Sequence, residues 1–296
     1  MVQTLINAVG LGSIYALMAV GIGLVFGVLR LVNFAYGQLI MAGAYAIALG
    51  SEHGWPEWAS VLACFGVVIG LSLAMELTLF RPLRQASPAT MLVATFAVAF
   101  LLQSIALLKF GSLVKSATIF PKLFDPVSHG RFETVRWITI VAIACAVVAL
   151  LALTLMLDRT SIGLHMRAAA SDFQTARILG VNANRVITLA VLLSGVLAAT
   201  VSVILVVQNP FIEPRFALRD TIIVLVGVVV GGIDRLWTAT LGGFAIGVAS
   251  SVLTDQLSSQ RSVYVDSFVF GLVILVLLLR PEGLFAPFRT RPVERA

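Results

Sequence analysis

The sequence predicts an all-α polytopic membrane protein: a bundle of eight or nine transmembrane helices with one short polar helix on the cytoplasmic face. Three observations predict it. Only 11% of the 296 residues are charged, where soluble domains carry about 25%. Mean hydropathy is +1.04. Solidly apolar runs such as 137–157 recur along the chain, without the period-two alternation of a transmembrane barrel.

The apolar runs fall at 5–29, 35–50, 58–80, 90–108, 137–157, 187–208, 221–233, 236–254 and 263–279. MVQTLINAVG at the start has no basic region and no clear cleavage site, so it reads as a retained first helix. The run 221–233 is the short one. As a helix it reaches only about 20 Å, against a hydrocarbon core of about 30 Å, so a broken or re-entrant element is expected there. Four GxxxG pairs, Gly23/Gly27, Gly66/Gly70, Gly227/Gly231 and Gly243/Gly247, predict close helix contact or a subunit interface more than a wide pore. Cys64 and Cys145 both sit inside apolar runs and read as packing residues, with no disulfide framework.

Charge sets the expected orientation. The net charge of +6 belongs to arginines at the ends of apolar runs and implies topology, not nucleic-acid binding. Arg30, Arg81, Arg84, the four arginines of 159–185, Arg235 and the C-terminal arginines fall on one side, twelve basic residues against eight on the other. That side is expected to be cytoplasmic, with an external N-terminus and a cytoplasmic C-terminus. The 109–136 loop opposes this, since it holds all three lysines.

No catalytic constellation appears. His53, His129 and His165 lie in polar stretches without metal-ligand spacing. GSLVKS at 111–116 lacks the second glycine and the Gly-Lys-Ser/Thr ending of a phosphate-binding loop. Any ATP used with this chain must therefore be bound and hydrolysed by other subunits, and no cofactor or metal is expected. Acidic residues at bilayer depth are sparse, which argues against an ion-coupled carrier. Glu76 is the clear candidate, and pairing with Arg81 or Arg84 is its expected state.

One polar stretch, GLHMRAAASDFQTARILGVNANRV at 163–186, still reads as helix. Met166, Ala169, Phe173, Ala176 and Leu179 make an apolar stripe over 166–179, with Ala170 and Ile178 beside it. Gly180 offers a left-handed stop, and Asn182 or Asn184 a cap for the next helix. Physical chemistry leaves three readings open: a helix in the lipid headgroups, an ordered loop, or a face docked in a partner's groove.

RAAASDFQTARILGVNANRV resembles the cytoplasmic "EAA" loop of ABC-importer permeases of the branched-chain amino-acid (LivH-like) group. GSIYALMAVGIGLVFGVLRLVNFAYGQLIMAGAY at 12–45 resembles that family's N-terminal region, with Asn-Phe-Ala-x-Gly at Asn33–Gly37. The glycine-rich stretch from Gly231 to Gly243 and RPEGLF at 280–285 follow in family order. The resemblance implies one transmembrane permease domain over 1–296, with a coupling helix in the loop at about 159–186 that docks on an ATPase subunit. Arg167, Ala168, Ala169, Asp172, Arg177 and Gly180 are the implied docking residues. It also implies two ATPase subunits, a second permease (a paralogue or this chain itself), and a periplasmic or lipid-anchored solute-binding protein facing loops 109–136 and 209–220.

The chain departs from the family where relatives carry His or a carboxylate: here stand Tyr36 and Gln38. An acid that holds an ammonium group is therefore not expected. Asn33, Tyr36 and Gln38, with Gln103 and Gln208, are candidates for the translocation path, and interhelical hydrogen bonding is the competing role. The expected function is the permease subunit of a bacterial inner-membrane importer for branched-chain amino acids. A urea or short-amide permease of the same family and a stand-alone carrier or channel are the alternatives.

Overall fold

The computed structural model describes residues 2–29, 32–83, 86–129, 134–171, 176, 178–232, 235–257 and 264–279. Arg30, Arg84, Asp172, Arg177, Asp234 and the segment after 279 lie outside them. Each of the nine apolar runs forms a helix. In chain order these are α1 (Val2–Leu29), α2 (Tyr36–Glu52), α3 (Glu57–Met75), α4 (Pro88–Phe110), α5 (Pro121–Phe124), α6 (Trp137–Arg159), α7 (Ser161–Ser171), α8 (Ala183–Gln208), α9 (Leu218–Gly231), α10 (Leu236–Gln256) and α11 (Val265–Leu279). Here α5 and α7 are short helices outside the apolar runs.

Among the described residues, six helices are long and apolar enough to cross a membrane: α1, α3 with its extension, α4, α6, α8 and α10. Six of the nine apolar runs meet that length among the described residues. The helices α2, α9 and α11 have 17, 14 and 15 residues. The 109–136 loop is more ordered than expected. It holds α5 and the strands β1 (Lys115–Ser116), β2 (Pro126–His129) and β3 (Thr134–Arg136). β1 pairs antiparallel with β4 (Phe211–Ile212), and β2 with β3.

The core is built by glycine. A Cβ on Gly243 would stand 2.6 Å from Ala19 Cβ and 2.9 Å from the Tyr15 carbonyl, and one on Gly247 2.7 Å from Gly12 Cα. Those contacts seat α10 on α1. One turn face away, a Cβ on Gly242 would stand 2.6 Å from Gly231 Cα, and one on Gly227 3.2 Å from the Gly242 carbonyl. Those seat α10 on α9. Two of the four GxxxG pairs, Gly227/Gly231 and Gly243/Gly247, thus make the contacts expected of them. Gly66 and Gly70 face open space, so that pair does not pack within the described chain, while of Gly23/Gly27 only Gly23 lies near a neighbour, where a Cβ would stand 3.5 Å from Ala239 and Leu236 of α10.

The second organising feature is where α2 begins. A Cβ on Gly21 would collide with the Tyr36 hydroxyl. Tyr36 is the first residue of α2, and Gly21 lies eight residues before the end of α1. At 1.5 Å per residue, the first side chain of α2 therefore packs on α1 about 12 Å short of the end of α1. Gly37 meets Thr221 and the Ala217 carbonyl at the start of α9, so two helix starts converge there. The irregular backbone before α2 is buried, with Asn33 5% and Ala35 0% exposed. Non-helical backbone at membrane depth is tolerated under just that condition.

Glu76 is 2% exposed and makes no ion pair with Arg81 among the described residues; its other expected partner, Arg84, lies outside them. Glu76–Phe80 forms a π-helical turn in which Arg81 N–H donates to the Glu76 carbonyl at 2.8 Å, and Arg81 is exposed.

Gly242→Val is expected to cost at least about 1–3 kcal/mol by overpacking α9 against α10. Gly70→Val, in open space, is expected to stay within about 0.5 kcal/mol. Thermal unfolding of the purified variants in detergent checks both, and equal losses would contradict the packing.

Candidate functional site

The polar segment is built from both ends. Thr160 ends α6, and its hydroxyl accepts from Gly163 N–H at 3.1 Å, which caps α7. Gly163 is obligatory, because a Cβ there would collide with the backbone of Met156 and Leu157. The helix therefore starts at Ser161, five residues before the expected position. Ala176 and Ile178 are helical, and Gly180 has φ +88°. Val181 N–H donates to the Ala176 carbonyl at 3.0 Å, the bond that closes a Schellman ending around a left-handed residue. Asn182 then caps α8, accepting from Arg185 N–H at 3.3 Å. Of the two expected caps, Asn182 does this work.

The stripe is divided. Met166, Ala169 and Ala176 are buried, and α7 packs on α1, α6 and α8. Phe173 lies outside the described residues. Leu179 and Ile178 face outward, at 78% and 86% exposed. They stand in the last turn before Gly180, beyond the reach of the helices that cover Met166. Periodicity alone could not reveal that the bundle ends there. Ile162 and Leu164 are exposed too, so this polar segment presents four aliphatic side chains outward.

The expected docking residues divide accordingly. Arg167 donates to Asp158 at 2.8 Å, tying α7 back to the end of α6. Ala168 is half-buried, Ala169 belongs to the core and Gly180 is exposed. Asp172 and Arg177 lie outside the described residues.

The candidate path residues are not one cluster. Asn33, Tyr36 and Gln38 come together at the buried start of α2. Asn33 Oδ1 accepts from Ala35 N–H at 3.0 Å, a turn that launches the helix. The Tyr36 hydroxyl and Gln38 Oε1 are buried with no hydrogen-bond partner among the described residues. Gln103 and Gln208 stand apart, half-buried on α4 and on the last turn of α8. Three hydroxyls around α2 donate to carbonyls: Ser194 to Gly21 at 2.9 Å, Ser202 to Ile40 at 2.9 Å and Thr95 to Val32 at 3.3 Å. No histidine, cysteine or carboxylate group that could hold a metal ion forms among the described residues.

A helical bundle with six helices long and apolar enough to cross a membrane, and a capped, glycine-ended segment at one end, is an architecture compatible with a membrane permease. Residues 4–278 match the family described as "Branched-chain amino acid transport system / permease component", and the chain belongs to that family. It is 31% identical over 293 residues to the high-affinity branched-chain amino acid transport system permease protein BraD of Pseudomonas aeruginosa, covering 95% of this chain and 94% of the relative. It is 30% identical over 301 residues to the permease protein LivH of Escherichia coli, with 95% and 94% covered. The fold is similar to that of PsaBC from Streptococcus pneumoniae, solved in complex with Fab, with TM-score 0.52, 14% identity and 95% and 93% of the two chains covered.

Tyr36→Phe removes a buried hydroxyl that has no described partner. Stability is expected to stay level or rise by up to about 1 kcal/mol. Chemical unfolding in detergent checks this, and a loss of about 2 kcal/mol would show that the hydroxyl is bonded.

Proposed function

We propose that this chain is the permease subunit of an ATP-driven importer for branched-chain amino acids. The carrying observation is family membership over almost the whole chain, joined to the geometry of the Ser161–Val186 segment. The capped start of α7, the left-handed turn at Gly180 and the cap of α8 at Asn182 are the features that support a force-transmitting segment. It presents Ile162, Leu164, Ile178 and Leu179 outward, which suits a protein groove.

In this reading the segment seats on one of two ATPase subunits, which bind and hydrolyse the ATP. Arg167, Ala168, Ala169, Asp172, Arg177 and Gly180 belong to the docking element. Ala169 acts by anchoring it to the bundle, and Arg167 by bracing it on Asp158. A second permease subunit completes the membrane part. A periplasmic or lipid-anchored binding protein delivers the solute to the opposite end, where α2, α4 and α8 finish. That end faces outward, and the C-terminus faces the cytoplasm of a bacterial inner membrane. Solute crosses by alternating access, with Asn33, Tyr36 and Gln38 as the interior polar group nearest a path, and Gln103 and Gln208 toward its outer end.

Gly180→Val is the direct test. A β-branched residue at φ +88° costs about 1 kcal/mol or more locally. The variant is expected to insert and purify normally, yet to lose leucine uptake and leucine-stimulated ATP hydrolysis in liposomes with its partner subunits. Normal uptake by a well-expressed variant would refute the docking role.

A further inference from the structure

At the end of the bundle opposite α7, one lysine joins three elements. Lys115 Nζ reaches both carboxylate oxygens of Glu52, at 2.7 and 2.8 Å. It also lies 5.2 Å from the ring centre of Phe110, the last residue of α4. Phe110 in turn stacks on Tyr45 of α2, with ring centres 4.4 Å apart and planes 9° apart. Lys115 itself sits in β1 opposite Ile212 of β4, and Ala117 N–H donates to the Pro210 carbonyl at 3.0 Å. The end of α2, the end of α4 and the link between α8 and α9 therefore meet at this residue.

The helix α4 is the one that such a fastening would govern. It packs on α2 and on the π-helical turn, while Val93, Leu101 and Leu108 along it are more than half exposed. Nearer its middle, Thr95 bonds the Val32 carbonyl and the edge of Phe96 meets Phe34, with ring centres 5.5 Å apart, while Met91, Ala99 and Ala106 are buried. It contains no glycine, so all these contacts are made by side chains. Contrast α10, which touches α1 and α9 at backbone distance. Glycine-packed contacts do not open without unpacking the core. The Lys115–Glu52 pair, with side chains 22% and 41% exposed, shifts an equilibrium by less than about tenfold. It is weak enough to be made and broken in every cycle.

We propose that Lys115, acting through Glu52 and Phe110, is the latch of the bundle's outer end: it holds α2, α4 and the β1–β4 pair together when that end is closed, and its release accompanies opening. Lys115 touches no solute and is a positioning residue. The proposal rests on the importer reading, since a transporter must open this end.

The test uses the full chain in liposomes with its ATPase subunits, partner permease and binding protein, with leucine as the probe. Lys115→Glu and Glu52→Lys each set like charges against one another, and the double variant restores the pair. Each single variant is expected to raise ATP hydrolysis without binding protein roughly three- to tenfold, the range an exposed pair can supply. Each should also blunt the further stimulation by leucine-loaded binding protein. The double variant and Lys115→Arg should return both readouts to within about twofold of the parent. Single variants that match the parent overturn the latch. A double variant as impaired as the singles also overturns it, because a surface contact with the binding protein would behave that way. If the parent complex itself shows no leucine-stimulated hydrolysis, the importer reading has failed, and the latch with it.

Discussion

The bundle depends on one constraint: α10 lies at backbone contact with two helices at once. Gly243 and Gly247 meet α1 around Gly12 and Tyr15, and Gly242 meets α9 at Gly231. In lipid there is no hydrophobic drive to bring helices together, so the attraction must come from close atomic contact. Removing side chains shortens the interaxial distance and multiplies weak dispersion contacts along the seam. A single Cβ at Gly242 or Gly247 would meet main-chain atoms, which cannot rotate away. The three helices therefore behave as one block, against which the other elements are placed.

That block creates a buried place for irregular backbone. Because α1 is fixed, Tyr36 can pack across Gly21, and the chain can turn back to begin α2 against α1. The carbonyls freed by the break need donors, and Thr95 supplies one to Val32. Asn33 supplies an acceptor to Ala35 N–H. The Asn-Phe-Ala-x-Gly positions at 33–37 thus have a structural reason in this chain. Asn33 starts the helix, and Gly37 clears the start of α9. The oxygens of Tyr36 and Gln38 are among the buried polar atoms without a partner among the described residues, and such atoms cost stability where they stand.

Helix positions were the most legible part of the chain, because an apolar run of about 20 residues has few other uses. Gly180 and Asn182 were legible too, since left-handed turns and caps select residue types locally. The failures concern what a helix meets. Nothing local in GVVIG at 66–70 distinguishes a glycine pair facing open space from the pair at 243–247 that builds the core. The burial of Met166 and the exposure of Leu179 share one periodicity and differ in how far neighbouring helices extend. The π-helical turn at Glu76 shifts the register by one residue, which a fixed period of 3.6 cannot anticipate. The Lys115–Glu52 pair spans 63 positions, and charge counting could only record Lys115 as an external lysine.

Two kinds of contact are segregated in this molecule, and the segregation bears on how it moves. A force applied at the Ser161–Ser171 segment enters the bundle through α1, α6 and α8, on which that segment packs. Since α1 is bound to α10 and α9 by glycine seams, the displacement is carried by the block as a unit and is not absorbed within it. Compliance must then lie where helices meet by side chains and not by backbone. That describes α4, which contains no glycine, bonds the Val32 carbonyl through Thr95 and ends at Phe110 beside the Lys115–Glu52 pair. A stiff lever beside a helix fastened by side chains converts motion at one end of a bundle into a change at the other. The same stiffness explains how a chain with so little buried charge can respond to work done on it from outside.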